Sequence, residues 1–153
     1  MDAPNTALPE VFAELDGDRP ALVEPGEYDL RFLHHETLIL FGRASKLVLW
    51  FKIISMGSPY FDTVKLARFY NVKRIIGRPG RHGRFKVGFN SDFMREYGRL
   101  FRPPSRLDRI SMSAFERAII VGRAKTVTRG SDQTAIPEGL QYSVLEELTG
   151  LRT

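Results

Sequence analysis

Lysine and arginine, the residues best suited to bind a negatively charged ligand, are concentrated in one stretch of this 153-residue chain. Residues 64–129 contain 17 of the 23 Lys and Arg side chains and only four acids, which gives a net charge of +13. Residues 1–63 and 130–153 carry net charges of −5 and −3. Segregated charge repels itself, so it commonly meets a partner of opposite sign, and nucleic acid is the commonest polyanion. The distribution predicts a polyanion-binding surface, and the alternative is a solvated basic face without a ligand.

Two segments place an aromatic ring between lysines at the spacing of a β-strand. Side chains alternate between the two faces of a strand, so Trp50, the only tryptophan, shares a face with lysines. The opposite face of that segment is apolar and consists of Leu47, Leu49, Phe51 and Ile53. The binding platform predicted from both segments consists of Lys46, Trp50, Lys52, Lys65, Phe69 and Lys73. Exposed rings stack bases for about 1–3 kcal/mol each while cations follow the phosphates. The alternative is that Trp50 fills the core or an interface.

Further cations surround this platform in the sequence. They are Arg68, Arg74, Arg78, Arg81, Arg84, Lys86, Arg123, Lys125 and Arg129. Several lie in or beside the glycine-rich segment 77–83, which reads as an exposed loop, and arginine forks suit phosphate oxygens. The segment is not a Walker A loop, because no Gly-Lys-Ser/Thr follows its glycines. The alternative is a mobile, solvated turn that contacts no ligand.

Residues that could support catalysis or bind a metal are few. The chain has no cysteine, and of its three histidines His34 and His35 are adjacent while His82 is distant in sequence. This pattern predicts no zinc site and no cofactor. Asp92 and Glu96, one helical turn apart, could hold Mg²⁺ for a nuclease, but the spacing favours helix capping and ion pairs with nearby arginines. The sequence therefore predicts that the protein is not an enzyme.

The elements that must position these residues are mostly strands. The predicted strands are residues 27–34, 46–55, 64–76, 119–129 and 141–148, with residues 85–87 as a brief extension of the sheet. A helix is the alternative for residues 141–148, but Tyr142 and Val144 favour the strand. A helix is predicted from Ser91-Asp92 to residue 101, and a short second helix at Ser113 has Glu116 in a capping-box position. Five strands with a helix between the third and fourth predict a mainly β protein with a five-stranded OB-fold-like barrel. Such barrels bind oligonucleotides across strands 2 and 3.

The chain divides into an acidic, proline-bearing N-terminal arm, residues 1–25, and one nucleic-acid-binding domain, residues 26–153. The arm has neither the basic start nor the apolar stretch of a signal peptide. The longest apolar run, residues 47–54, contains a lysine and is too short to cross a bilayer, so no membrane partner is expected. The absence of cysteine fits a reducing compartment, and the expected location is the cytoplasm.

Four short motifs resemble the small OB-fold single-stranded DNA-binding proteins of phages, plasmids and integrative elements. They are Pro25-Gly26-Glu27-Tyr28, the strand from Lys46 to Lys52, Phe69-Tyr70-Asn71-Val72 and Thr126-Val127-Thr128. The resemblance covers residues 25–148 in layout. It implies a role in replication, recombination or transfer of a mobile element. The chain departs from the bacterial housekeeping relatives because it lacks their long glycine-rich, acidic C-terminal tail, so docking of replication partners through such a tail is not expected.

The expected function is binding of single-stranded DNA with little sequence preference, and RNA stays open as a ligand because it offers the same phosphates and ring faces. A first alternative is a protein-interaction module that engages a host complex. A second is a metal-dependent nuclease. Open sheet edges and the basic surface also leave self-association into a homo-oligomer open.

Overall fold

The computed structural model describes residues 21–54, 64–102, 110–130 and 132–152. The strands in these ranges are β1 Gly26–Leu40, β2 Ala44–Ile53, β3 Lys65–Asn71, β4 Arg74–Ile76, β5 Gly80–Arg81, β6 Arg84–Lys86, β7 Ile119–Val127 and β8 Tyr142–Leu151. The α-helices are α1 Asp92–Leu100 and α2 Ser113–Glu116, and a short 3₁₀ turn occupies Glu138–Leu140. The prediction of a mainly β protein is confirmed. Among the described residues no helix is long and apolar enough to span a bilayer.

Five long strands follow one another in a closed ring, in the order β1, β2, β3, β8, β7 and back to β1. The neighbours in this ring are antiparallel except β3 and β8, which meet in parallel through the pair Arg68 and Leu145. The short strand β5 pairs with the outer edge of β1. Helix α1 lies in sequence between the third and fourth strands of the ring, as the sequence predicted.

Alternation along β2 produces the main core. Leu47, Leu49 and Phe51 are fully buried and Ile53 is 1% exposed. They pack with residues of the other ring strands and of α1 in one continuous hydrophobic cluster. Each such side chain contributes about 1.5–3 kcal/mol when it leaves water. The core face predicted for this strand is therefore confirmed.

Strand β1 continues six residues beyond its predicted end at His34. A register shift between Phe32 and His34 changes the alternation in the second half of the strand. Glu36 and Thr37, beyond the predicted end, are 3% and 2% exposed, and β1 pairs there with both β2 and β5. Strand β5 pairs with this additional part of β1.

The predicted third strand, residues 64–76, is two strands in the structure. Strand β3 pairs with β2 without interruption from Lys52 and Lys65 to Lys46 and Asn71, so no bulge changes the faces of its side chains. Strand β4 pairs instead with β6 in a separate two-stranded sheet. The prediction that residues 85–87 extend the main sheet is therefore wrong. The Lys73 amide donates to the carbonyl of Lys86 at 2.8 Å and begins the separate hairpin.

Helix α1 begins as predicted, because the Ser91 hydroxyl accepts a hydrogen bond from the Met94 amide at 3.2 Å. Its buried face carries the predicted residues Phe93, Tyr97 and Leu100. Helix α2 is present, but its N-cap is Met112, which makes no side-chain cap. The capping box predicted from Ser113 and Glu116 is therefore not formed.

The described end of the predicted arm packs on the domain. The Ser143 hydroxyl accepts from the Val23 amide at 2.9 Å, and the Ser143 amide donates to the carbonyl of Ala21 at 2.8 Å. Val23 is 8% exposed and belongs to the main cluster. The folded unit thus includes residues 21–25, whereas residues 1–20 lie outside the described residues. The last predicted element is a strand, β8, as expected.

Candidate functional site

Trp50 does not lie on an exposed platform. It is on the predicted face of β2, opposite the main core, but it is 5% exposed and packs in a second hydrophobic cluster. That cluster consists of Leu38, Leu40, Val48, Trp50 and Ala67, with Ala44 and Phe69 against it. The prediction of Trp50 as a stacking ring is wrong, because β1 continues along β2 and brings two leucines to the same face. The alternative, that this ring fills an interior, describes it better.

The second cluster separates the lysines of the predicted platform into two groups at opposite ends of the face. Phe69 is half-buried between the second cluster and a third one around Ile136, so its ring does not stand free for stacking. Lys52 and Lys65 are cross-strand partners at one end of the face. Lys46 donates to the side chain of Asn71 at the other end. The face between them also carries the buried carboxylate of Glu36, which would repel phosphate.

Arg68 is buried and is not a surface cation, which corrects the prediction. Its guanidinium contacts the Glu96 carboxylate through two nitrogens, at 3.2 and 2.5 Å. Glu96 is 1% exposed and also accepts from the Tyr70 hydroxyl at 2.7 Å and from the Leu148 amide at 3.0 Å. Burial raises the pKa of Tyr70 well above its ordinary value, so the phenol keeps the proton that it donates. This network connects β3, α1 and β8. Removal of one charged partner would lower the free energy of unfolding by about 3–5 kcal/mol.

The acidic pair considered for a nuclease is not assembled as a metal site. Asp92 pairs with Arg95 at 2.8 Å on the surface, as predicted, whereas Glu96 points inward to Arg68 rather than to Arg99. Among the described residues no group of three or more His, Asp or Glu side chains is placed to hold a metal ion.

Two cations, Arg99 and Arg123, are ion-paired with acids of β8. Arg123 contacts Glu146 at 2.9 Å and Glu147 at 2.6 Å, and Arg99 also pairs with Glu147. Arg99, followed by Arg123, lowers the pKa of the Glu147 carboxyl. Of the other predicted cations near β7, Lys125 is exposed on the strand and Arg129 donates to the carbonyl of Gln133 at 2.8 Å. None of these residues belongs to the one element that contains six of the predicted cations.

That element is the basic hairpin, defined as residues 73–86, with strands β4 and β6. It contains six Lys and Arg residues and no acid: Lys73, Arg74, Arg78, Arg81, Arg84 and Lys86. All six side chains are exposed. Within the described residues no acidic side chain pairs with Arg74, Arg84 or Lys86. The hairpin is therefore the part of the predicted site that the fold brings together.

Two of these cations face each other directly. Arg74 and Lys86 are cross-strand partners, and Arg84 follows on the same face two residues along β6. Opposed residues in an antiparallel pair have Cβ atoms about 4.5–5.5 Å apart, and like charges in that position are destabilising. An anion bound between them would remove this cost.

A groove of about 490 Å³ lies on this face of the hairpin. Its rim carries the three cations Arg74, Arg84 and Lys86. The apolar side chains that line it are Ile76, Phe85, Val87, Ile110 and Met112. The groove thus combines positive charge with an apolar floor, which suits a ligand that is anionic at one end and flat and apolar at the other.

The tip of the hairpin is fastened to β1. The Thr37 hydroxyl accepts from the Gly80 amide at 3.2 Å, and the His82 amide donates to the carbonyl of His35 at 2.9 Å. Gly83 fits closely here, because a Cβ at this position would lie 2.0 Å from the Thr37 hydroxyl oxygen. The loop that looked like a mobile turn is therefore held by its backbone while its arginines remain exposed.

Three histidines meet at the same tip. The ring centroid of His82 is 6.3 Å from that of His34 and 5.7 Å from that of His35. The His35 ring contacts the carbonyl of Gly83 at 2.9 Å, and burial lowers the pKa of His35. No local pattern in the sequence indicates this cluster, because it depends on the pairing of β5 with β1.

Phe89 is an exposed ring that the sequence analysis did not select. It is 78% exposed and lies three residues after Lys86, so their Cα atoms are within about 11 Å. A signal was present in Gly88 and Asn90, which place this ring in a turn with no strand to bury it.

Comparison with protein-family models, with curated proteins and with solved structures found no match to this chain.

Proposed function

We propose that this protein binds single-stranded DNA with little sequence preference, through the basic hairpin rather than through the platform on β2 and β3. The observation that carries this proposal is the set of exposed cations Arg74, Arg84 and Lys86, which line an apolar groove and pair with no acidic side chain among the described residues. Arg74 and Lys86 also repel each other as cross-strand partners. Phosphates offset that repulsion, and single strands add bases that can leave water for the groove.

The apolar groove floor and the exposed Phe89 ring favour a single strand over a duplex. The bases of a duplex are stacked inside the helix, so a duplex would satisfy the cations but leave both apolar features in water. Contacts to phosphates and ring faces carry no sequence information, which is why we expect little sequence preference.

We further propose that the ring of five strands is an OB-fold-like barrel. The helix between the third and fourth strands supports this, as does the position of β8 between β3 and β7, a Greek-key order. Such barrels bind oligonucleotides across strands 2 and 3. Here the second hydrophobic cluster fills that face, and the binding site we propose lies on the hairpin that follows β3. A role in replication, recombination or transfer of a mobile element rests on the sequence resemblance.

The experiment that tests this function is a titration of labelled oligo-dT at several salt concentrations. We expect log K to fall linearly with log salt, by about 0.7 per phosphate contacted. The double variant Arg84→Ala/Lys86→Ala should reduce the magnitude of this slope by about 1.4. Duplex DNA of equal length, measured in parallel, should bind more weakly than the single strand of DNA. Single-stranded RNA of equal length tests whether the 2′-hydroxyl changes the affinity.

The matched control is Arg95→Ala/Arg152→Ala, which removes the same charge from exposed side chains that are already ion-paired. We expect this variant to keep the slope of the unmodified protein. Affinity that does not respond to salt, or an equal loss of slope in the two double variants, would reject the hairpin as the phosphate-binding element.

A second candidate is the protein-interaction module. It is favoured by two exposed apolar side chains where β1 ends, Ile39 at 37% and Phe41 at 53%. Pull-down from lysate after nuclease treatment separates the two functions, because a protein partner survives that treatment and a nucleic-acid bridge does not.

A further inference from the structure

We infer that the groove beside the basic hairpin holds one unstacked nucleotide, with its base on the apolar floor and its negative charge on the rim. This inference rests on the proposed function and goes further, because it assigns a base-binding subsite at a defined place. It also replaces the stacking position that the sequence analysis gave to Trp50.

The size of the groove fits this ligand. Its volume of about 490 Å³ falls in the range of 300–1,000 Å³ that is typical of small-molecule sites. A single nucleotide is a ligand of this class, whereas a base pair or several stacked bases would extend beyond the groove.

The walls of the groove match the two parts of a nucleotide. Ile76 and Phe85 from the hairpin and Ile110 and Met112 from the segment before α2 line the same cavity. Apolar side chains of this kind can receive the faces of a planar base. The His35 ring, held by the carbonyl of Gly83 at 2.9 Å, also lines the groove in a fixed position.

The charge on the rim indicates a nucleotide with more than one negative charge. Arg74, Arg84 and Lys86 surround a single cavity, and Arg74 and Lys86 oppose each other. A nucleotide inside a strand brings the two phosphodiesters that flank it. A nucleotide at a strand end can bring one phosphomonoester with nearly two charges. The shared chemistry is a nucleobase with about two negative charges beside it.

The test uses two neighbouring isoleucines of β4 that lie on opposite faces. Ile76 lines the groove, whereas Ile75 does not, although its cross-strand partner Phe85 does. Ile76→Asn and Ile75→Asn make the same chemical change in the same strand without altering charge. Both variants are measured in the full chain with dT₁₂ and with an abasic oligomer of equal length, and thermal unfolding checks that each is folded.

We expect Ile76→Asn to weaken binding of dT₁₂ about tenfold, the order of one lost base contact, and to leave binding of the abasic oligomer unchanged. Ile75→Asn should leave both affinities unchanged. Equal affinities of the two variants for dT₁₂ would overturn the base subsite while salt-dependent binding would still support the proposed function. Salt-independent binding of both oligomers would instead reject the function itself.

A second measurement keeps the inference testable if Ile76→Asn does not fold. A dT₁₂ with one 2-aminopurine should show a base environment that is lost on competition with unlabelled dT₁₂, whereas the abasic oligomer should need about a tenfold higher concentration to displace it. Competition by both to the same extent would overturn the subsite. Adding a 5′-phosphate to dT₁₂ then identifies which phosphates contact the rim cations. Tighter binding would assign the phosphomonoester of a strand end, and equal binding would assign the phosphodiesters that flank an internal nucleotide. Either result supports a nucleotide in the groove.

Discussion

At the scale of single residues, the molecule shows that the face of a side chain and its exposure are separate properties. Alternation along β2 placed Trp50 opposite Leu49 and Phe51, and the structure agrees. Exposure depended on a different segment, because Leu38 and Leu40 of β1 share that face. Lysines beside an aromatic residue were therefore not sufficient to predict a binding ring.

The burial of Trp50 predicts that its side chain stabilises the fold. Trp50→Ala should lower the free energy of unfolding by about 3–5 kcal/mol, because it opens a cavity in the second cluster. Phe89→Ala is the control, since that ring is 78% exposed and its loss should change stability by less than about 0.5 kcal/mol. Denaturant unfolding measures both values.

The fluorescence of the only tryptophan gives an independent reading of the same prediction. Saturation with oligo-dT should leave the emission of Trp50 unchanged, because this ring is buried in the second cluster and does not contact the ligand. A stable Trp50→Ala variant with lost affinity, or strong quenching by the oligomer, would restore Trp50 as a binding residue.

At the scale of elements, the basic hairpin is a rigid attachment rather than a loose loop. Its strands pair with each other, and its tip is bonded to Thr37 and His35 of β1. A backbone already held in place reduces the entropy cost of ordering this loop when a ligand binds. The glycines make this possible, since Gly77 and Gly80 have φ of 74° and 140° and Gly83 has no room for a Cβ.

The buried histidine of this attachment predicts a pH dependence of stability. Because burial lowers the pKa of His35, the unfolded chain binds its proton more readily than the folded protein. Stability contributed by neutral His35 should be complete above about pH 6.5 and should fall as the pH decreases through and below that value. Urea unfolding between pH 7.5 and 5 measures this change.

His35→Gln should flatten the dependence over this range, because the amide does not titrate. His34→Gln keeps the buried ring and should retain most of the dependence. If His35→Gln loses stability on acidification as steeply as the unmodified protein does, another group is responsible.

Local patterns predicted most helices and strands, whereas strand pairing and side-chain burial depend on contacts between residues distant in sequence and could not be predicted. The apolar alternation of β2 and the Ser91 cap of α1 were readable because they depend on neighbours. The pairing of β4 with β6, by contrast, competes with an equally plausible continuation of β3. The Arg68–Glu96 pair likewise joins residues 28 positions apart, which turned a predicted surface cation into a buried one. The hairpin cations were among the predicted site residues and are exposed in the structure, but nothing local separated them from paired ones such as Arg123.

At the scale of the whole molecule, folding redistributes the charge. The acids of β8 neutralise Arg99 and Arg123, and Glu96 neutralises Arg68. Three of the 17 cations of residues 64–129 are thus paired with these acids, whereas six others lie together in the basic hairpin. We expect an anionic ligand to respond to this local concentration of charge rather than to the net charge of the sequence.

The acidic N-terminal stretch gives a prediction at this scale. Residues 1–20 contain five acids and one arginine. Replacing those five acids with the corresponding amides should tighten oligo-dT binding severalfold at low salt, because the net charge of the protein becomes more positive. The effect should vanish near 1 M salt, where the Debye length falls to about 3 Å.

The control for this prediction is Asp132→Asn/Glu138→Gln, two exposed acids near the start of β8. A proportionate gain in this variant would assign the effect to net charge alone, and a larger gain per acid in the N-terminal variant would assign it to that stretch. Equal affinity of the N-terminal variant and the unmodified protein at low salt would contradict the prediction.

The hydrogen bonds between Val23 and Ser143, 120 positions apart, have a consequence for biosynthesis. Strand β8 is also the partner of both β3 and β7, and it follows all the other described strands in the chain. Until β8 has been synthesised, the nascent chain must keep two unpaired strand edges and an incomplete core in water, where such surfaces invite aggregation. The ring of five strands, and with it the partner of residues 21–23, is therefore complete only once β8 has been synthesised.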